Sequence, residues 1–308
     1  MIIYDGIRPG GYQTITFKPL CGLLNQPLYL PLCFSSNGLV LEFELVSNGA
    51  DAVIAPNTNE ANIAVGSTYF NELNTSTSWA ISDFHVVGDI ITLDSALQNS
   101  YSEFILSGKA LNIPYNTYIT MLQNTAATNN MSVNVSRAVS RLKTVFFSFD
   151  NATLNLATST KIKDSIVKDF NSFVHPMGNQ DDGGYTFANE IEYSIQIGSK
   201  ILPVYAVRSA SQAYYELKKA LGVQDSAYHS MAIDSMDKYL NDHFIVGCDC
   251  EKILSASWTG LNTKAGDLMV IRAKIANGGN VEIPVKIYIT LHCDNVLEIR
   301  DSGAVLYD

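Results

Sequence analysis

The chain has 308 residues, of which 47% are hydrophobic and only 16% are charged. It is therefore apolar enough to bury large cores and long enough for two domains of about 150 residues each. Its net charge of −10, with no run of Lys or Arg, disfavours a surface that neutralises phosphates. We therefore expect no direct binding to nucleic acid.

Membrane insertion and secretion are also disfavoured. No stretch approaches the roughly 18 consecutive apolar residues that a membrane-spanning helix needs. The first residues, Met1–Asp5, lack the basic region and the long apolar core of a secretory signal. The five cysteines are an odd and sparse set, which favours reduced thiols in a protein made in a cytoplasm-like compartment.

The first half of the chain contains many strand-like stretches and one helix with clear ends. Apolar alternation and β-prone residues predict the strands Tyr12–Lys18, Leu28–Cys33, Gly38–Val46, Trp79–Leu93, Leu111–Leu122, Met131–Val135 and Leu142–Phe149. After the fourth strand, Asp94 suits the N-cap of a helix and Gly108 suits its end. The inner face of this helix is predicted to carry Leu97, Tyr101, Phe104 and Ile105.

The composition changes between residues 150 and 189. This span contains a predicted short helix, Lys161–Phe170, and a loop rich in Gly, Asp and Asn, HPMGNQDDGGYTFAN. It is the best candidate for a linker between two domains.

The stretch that follows, Glu190–Gly222, has the clearest local signals in the chain. Alternation predicts a strand from Ile191 to Ile197, then a polar turn and a second strand, Ile201–Val207. Ser209 suits the N-cap of a helix in which Gln212 reaches back, as in a capping box. The predicted inner face of this helix carries Tyr214, Leu217 and Leu221, with Gly222 at its end.

The remaining residues are mostly strand-like, with one short helix predicted near Ser235–Leu240. The predicted strands are His243–Cys248, Asp267–Ala276, Val281–His292, Val296–Arg300 and Ala304–Tyr307. Strands outnumber helices and do not alternate with them, so the fold class is all-β with a few short helices. We expect two antiparallel β-sandwiches, one in residues 1–160 and one in residues 190–308, joined by a linker loop at residues 161–189.

The tightest grouping of possible zinc ligands is Cys248 and Cys250, with His243 before them and His292 and Cys293 downstream. Zinc ligands usually come from cysteine pairs two to four residues apart on a turn. Here the pair is at i, i+2 on a strand, so both thiols share one face of a sheet. Core cysteines are the favoured interpretation.

No enzyme signature is present. The chain has no Gly-X-Ser-X-Gly elbow, and the carboxylate pair Glu190 and Glu192 is expected on the solvated face of a strand. The run from Asp181 to Gly184 lacks the spaced ligands of a calcium loop and favours a plain turn. We therefore predict that the protein is not an enzyme, and we assign no catalytic, cofactor-binding or metal-binding residue and no cofactor.

Several blocks, in order along nearly the whole chain, carry a resemblance to a known family. They are FKPLCGLLNQPLYLPL (17–32) with the following GLVLEFELV, IPYNTY (113–118), SRLKTVFFSF (140–149), FVHPM (173–177), Glu190–Gly222, FIVGCDCEKILSASWTGLNTKAGDLMVIRAK (244–274) and the tail LHCDNVLEIRDSGAVLYD. In combination they resemble the double jelly-roll major capsid proteins of polinton-like viruses, virophages and adintovirus-type elements.

The resemblance implies two eight-stranded jelly rolls per chain and three chains in each pseudo-hexagonal capsomer of an icosahedral shell. It implies that the protein associates with itself and with neighbouring capsomers, and that penton and minor capsid proteins are further partners. It places the protein in the virion after synthesis in the host cytoplasm. Such proteins usually have more sequence before the first block, which begins here at Phe17. Either opening strands of the first jelly roll are missing, or another segment or protein supplies them.

An alternative function is a viral or phage β-sandwich that binds a receptor or a glycan. In that case Trp79 and Trp258 would be exposed platforms for the ligand. Burial of both side chains in a core is the favoured interpretation.

Overall fold

The structure is a computed structural model that describes residues 11–35, 38–45, 79–125, 130–149, 173, 175, 190–223, 233, 235–241, 243–251, 260–264, 268–275 and 286–307. The helices are α1 (Gly22–Asn25), a 3₁₀ helix (Leu32–Phe34), α2 (Ser95–Leu106), α3 (Ala210–Ala220) and α4 (Met236–Asn241). The strands are β1 (Leu111–Asn124), β2 (Asn130–Val135), β3 (Leu142–Phe149), β4 (Ile191–Ile197), β5 (Lys200–Val207), β6 (Val246–Asp249), β7 (Met269–Ile275), β8 (Lys286–Arg300) and β9 (Gly303–Tyr307).

The strands pair as in a jelly roll. β1 pairs with β8, β2 with β7, β3 with β6 and β4 with β5, all antiparallel. Further pairing of β8 with β3 and of β7 with β4 builds a first sheet in the order β1-β8-β3-β6 and a second in the order β2-β7-β4-β5. This is the pattern of one long antiparallel hairpin wound into two facing sheets, an eight-stranded jelly roll. β9 adds a hairpin onto the last residues of β8.

Side-chain alternation explains how the two sheets face each other. Along β4, the residues Ile191, Tyr193, Ile195 and Ile197 are buried, and the residues between them are partly exposed. Along β8, alternate positions from Ile287 to Cys293 are likewise buried. Because successive side chains of a strand point to opposite faces, each sheet presents one apolar face to the other. The hydrophobic core lies between these faces.

The helix α3 closes one side of the sandwich against β6. As predicted, Ser209 is its N-cap: the Ser209 hydroxyl accepts a hydrogen bond from the amide of Gln212 at 3.1 Å. Gly222 follows the last turn with a φ of +69°, which suits glycine. Leu217 is buried, but Leu221 is 47% exposed because the helix ends at Ala220. The prediction that Leu221 belongs to the inner face is therefore wrong.

For the residues that precede Asp94, the structure differs from the sequence predictions. In the described parts of Tyr12–Lys18, Leu28–Cys33, Gly38–Val46 and Trp79–Leu93, the backbone forms no paired strand. The helix α2 is present and Asp94 caps it, with its carboxylate accepting from the amide of Leu97 at 2.8 Å. Of its predicted inner face, only Ile105 is buried. Alternation and capping are local signals, and whether a strand finds a partner depends on distant residues.

The predicted domain boundary separates strands that lie in the same sheets. Residues 111–149 were assigned to the first sandwich, yet β1, β2 and β3 pair with strands of residues 246–300. In a jelly roll the first strand pairs with the last, and no local pattern announces that pairing. The predicted linker span includes Phe173, which bridges to His243, and His175, which is buried. The predicted helix Lys161–Phe170 lies outside the described residues.

Candidate functional site

The cysteines considered for zinc lie in the core. Cys248, Cys250 and Cys293 are buried, as the core-cysteine interpretation predicted. The Cys250 thiol donates to the carbonyl oxygen of Cys248 at 3.7 Å. Its contact with Cys248, followed by burial, raises the pKa of the Cys250 thiol well above its usual range. This environment favours unreactive thiols.

The two histidines of that candidate site are elsewhere. His243 is exposed in front of β6, and His292 lies on the outer face of β8. Among the residues that the structure describes, no three His, Cys, Asp or Glu side chains come together as metal ligands would. The run from Asp181 to Gly184 lies outside the described residues. Within the described part of the chain, no helix is long and apolar enough to cross a bilayer.

A polar cluster on the outer side of the first sheet is centred on Lys143. Its ammonium lies 3.2 Å from Glu251 Oε1 and 3.6 Å from Asp294 Oδ1. All three side chains are less than a fifth exposed. Glu251 Oε1 makes no well-aligned hydrogen bond, so its contact with Lys143 is an ion pair. One cation between two carboxylates neutralises charge that would be costly to bury alone.

His292 extends this cluster toward β1. Its ring stacks on the ring of Tyr118, with centroids 4.7 Å apart and planes at 7°. Burial, with a smaller effect of the Lys143 cation, lowers the pKa of His292 to about 4, although Asp294 acts in the opposite direction. The imidazole is therefore neutral at pH 7. Sequence reasoning missed this cluster, because Lys143, Glu251 and Asp294 are far apart along the chain.

The outer face of the second sheet carries a basic patch, which we define as Arg208, Arg272 and Lys274 around Glu192. Glu192 Oε2 lies 3.1 Å from Arg208 Nε, and Glu192 Oε1 lies 3.2 Å from Lys274 Nζ. The Glu192 side chain is only 15% exposed, whereas those of Arg208 and Lys274 are 71% and 51% exposed. Glu192 is thus on the outer face of its strand, as expected, and it is held there between two cations.

Arg272 has a different environment from Lys274. Its cross-strand neighbours are Ser132 on β2 and Ser194 on β4. Neither can neutralise a guanidinium, and no ion pair joins Arg272 to a carboxylate within the described part of the chain. These residues line an open depression of about 350 Å³ over the sheet. The patch therefore has three cations and one carboxylate in a protein whose net charge is −10.

The tryptophans proposed as ligand platforms are only partly described. Trp79 is half-buried, and Trp258 lies outside the described residues. Trp79 is therefore neither a fully exposed platform nor a core residue.

The chain matches no protein-family model, and no curated protein matches its sequence. It is similar to a crystal structure of PBCV-1 VP54 fitted into a cryo-EM reconstruction of the virophage Sputnik, with 9% identity, a TM-score of 0.45 and coverage of 70% of this chain and 54% of that chain. A quasi-atomic model of the PBCV-1 virus capsid has 10% identity, a TM-score of 0.37 and the same coverage. A cryo-EM structure of the Sputnik virophage has 12% identity, a TM-score of 0.31 and coverage of 64% and 38%. The chain spans about half the length of the first two structures and less of the third.

Proposed function

We propose that the protein is a viral capsid subunit that associates with itself, as trimers that form pseudo-hexagonal capsomers of an icosahedral shell. The proposal rests on the strand pairing: within residues 111–300, the eight strands numbered β1 through β8 pair with one another in the complete jelly-roll pattern. The ordered sequence blocks that resemble double jelly-roll capsid proteins support it independently. We further propose that this sandwich is one of two jelly rolls.

The interior of the sandwich favours a structural role over a small-molecule site. Jelly rolls occur in capsid proteins, in lectins and in cupins, so the fold alone does not decide the function. A small-molecule site needs a concave cavity with a few polar groups aimed into it. Here the inward positions of the described strands are filled by apolar side chains, including Phe147, Ile195, Ile271 and Leu291. A packed interior of this kind suits a rigid building block.

Light scattering coupled to size-exclusion chromatography tests the proposal. The expected mass at micromolar concentration is about three times the 33.7 kDa of the chain, or a larger multiple. Negative-stain images of that fraction should show three-fold particles with a hexagonal outline. A stable monomer across the micromolar range would overturn the proposal. Saturable binding to a glycan array by such a monomer would favour the β-sandwich that binds receptors or glycans.

A further inference from the structure

We propose that the basic patch binds the acidic segment Gly38–Leu45 of a second copy of this chain. The inference rests on the proposed function, since it requires that the protein associates with itself, and it names the two surfaces that meet. On one side are Arg272 and Lys274, with Arg208 beside them. On the other are the carboxylates of Glu42 and Glu44.

The spacing and the chemistry of the side chains in the basic patch suit the binding of carboxylates. Arg272 and Lys274 are two residues apart on β7, so both side chains point to the outer face at a spacing of about 7 Å. Glu192 engages Lys274 and Arg208, and the cross-strand neighbours of Arg272 are two serines. Guanidinium groups bind carboxylates with two parallel hydrogen bonds. Two of the three cations share Glu192, and within the described part of the chain Arg272 forms no ion pair with a carboxylate.

The acidic segment shows the matching pattern. Its apolar residues Leu39, Leu41 and Phe43 are 37–42% exposed, whereas Val40 between them is 80% exposed. Phe43 packs edge to face on Phe84, with ring centroids 5.0 Å apart. This alternation places Glu42 and Glu44 on the other face, where both are exposed. Two carboxylates two residues apart on an extended chain have the same spacing, about 7 Å, as Arg272 and Lys274.

The two surfaces do not meet within one chain. Glu42, Glu44, Arg272 and Lys274 are all described, and no ion pair joins the acidic pair to the basic pair. Complementary charge fixes register and accelerates association more than it adds affinity. In a chain with 30 acidic and 20 basic residues, copies repel each other overall. A local basic patch facing a local acidic segment offsets that repulsion at one orientation, which suits a contact that repeats around a ring.

Charge reversal with restoration tests the inference. The variants are R272E/K274E, E42K/E44K and the four-fold swap that combines them, with K18E/K200E as a control that changes net charge as much as R272E/K274E does. Sedimentation velocity at low salt should show association weakened at least ten-fold in the first two variants. It should recover in the swap and stay unchanged in the control. R272E alone, which leaves the pairing of Glu192 with Lys274 intact, should weaken association less than R272E/K274E does, and thermal melting checks that each variant is folded.

The outcomes separate this inference from the proposed function. A wild-type protein that stays monomeric at every salt concentration overturns both. Association that is as strong in folded R272E/K274E as in the wild type, that R272E does not weaken at all, or that the swap does not restore, overturns this inference alone. Fluorescence anisotropy with a labelled single-stranded DNA tests a phosphate ligand. DNA binding that R272E/K274E abolishes, while association is unchanged, would reassign the patch to nucleic acid.

Discussion

The ring of Phe147 on β3 meets the ring of Tyr193 on β4 edge to face, with centroids 5.6 Å apart and planes at 89°. Because β3 lies in the first sheet and β4 in the second, this contact joins the two sheets across the core. Both side chains are almost completely buried, and Phe147 also packs against Phe149. A loss of volume at this pair should therefore weaken the packing of one sheet on the other.

Phe147→Ala is expected to lower the free energy of unfolding by about 3–5 kcal/mol, because it removes a buried ring and leaves a cavity. Urea denaturation at fixed protein concentration measures the loss. Tyr193→Phe is the matched control, since the buried Tyr193 hydroxyl has no hydrogen-bond partner among the described residues. Removing it should change stability by less than about 1 kcal/mol, in either direction. A larger loss in Tyr193→Phe would contradict this account of the hydroxyl.

Gly247→Ala is expected to separate α3 from β6. A Cβ at Gly247 would lie 2.9 Å from the Ala220 Cβ and 3.2 Å from the Leu217 Cα, so the helix must shift. Overpacking of this kind costs about 1–3 kcal/mol. Ala220→Gly removes the shortest of these contacts, at a cost of about 1 kcal/mol for glycine in a helix. In a double-mutant cycle the two changes should therefore couple favourably, and strictly additive losses would argue against the close approach.

The local elements of the jelly roll could be predicted from sequence, but their partners could not. Ser209 and Gly222 mark helix ends through their own backbone preferences, so the limits of α3 were predictable. Alternation located β4 and placed Glu192 on its outer face, and the strand Asp267–Ala276 was predicted where β7 lies. Nothing local indicates that β7 lies beside β4, so the pairing of Glu192 with Lys274 had no sequence signal.

The strands predicted before residue 94 show the same limit. Gly38–Val46 alternates as well as β4 does, yet its described residues pair with no strand. A strand forms where at least one other strand pairs with it and a face is covered, and the partner and the cover come from elsewhere in the fold. The cluster around Lys143 was missed for a related reason. Its carboxylates follow β6 and lie on β8, so only the sheet order brings them together.

The buried side chain of His175 should make the folded protein less stable in acid. It is 2% exposed, and its ring lies 4.5 Å from that of Phe244. Burial lowers the pKa of His175 from 6.5 to about 3. The unfolded chain therefore binds a proton at this residue below pH 6.5, while the folded chain does not until about pH 3. The contribution of the neutral His175 side chain to the free energy of unfolding is fully present above pH 6.5 and declines as the pH falls toward 3.

His175→Leu should remove this part of the pH dependence, because leucine does not titrate. Between pH 7.5 and 5, the stability of the wild type relative to His175→Leu should fall by about 2 kcal/mol. Urea denaturation at a series of pH values measures both proteins. Parallel stability curves for the two would show that the imidazole is not kept neutral by burial.

The pKa of His292 reports on the ion pairs of Lys143. Burial is the main cause of its low value of about 4, the Lys143 cation lowers it further, and Asp294 raises it. Lys143→Met should therefore raise the pKa of His292, whereas Asp294→Asn should lower it. Lys143→Met also leaves two largely buried carboxylates without their cation, so it should cost about 3 kcal/mol of stability. NMR titration of the imidazole protons measures both shifts. The two variants are expected to shift the pKa of His292 in opposite directions, so a general loosening of the fold cannot produce the same result. Two pKa shifts of the same sign would show that Lys143 does not lie between the carboxylates in solution.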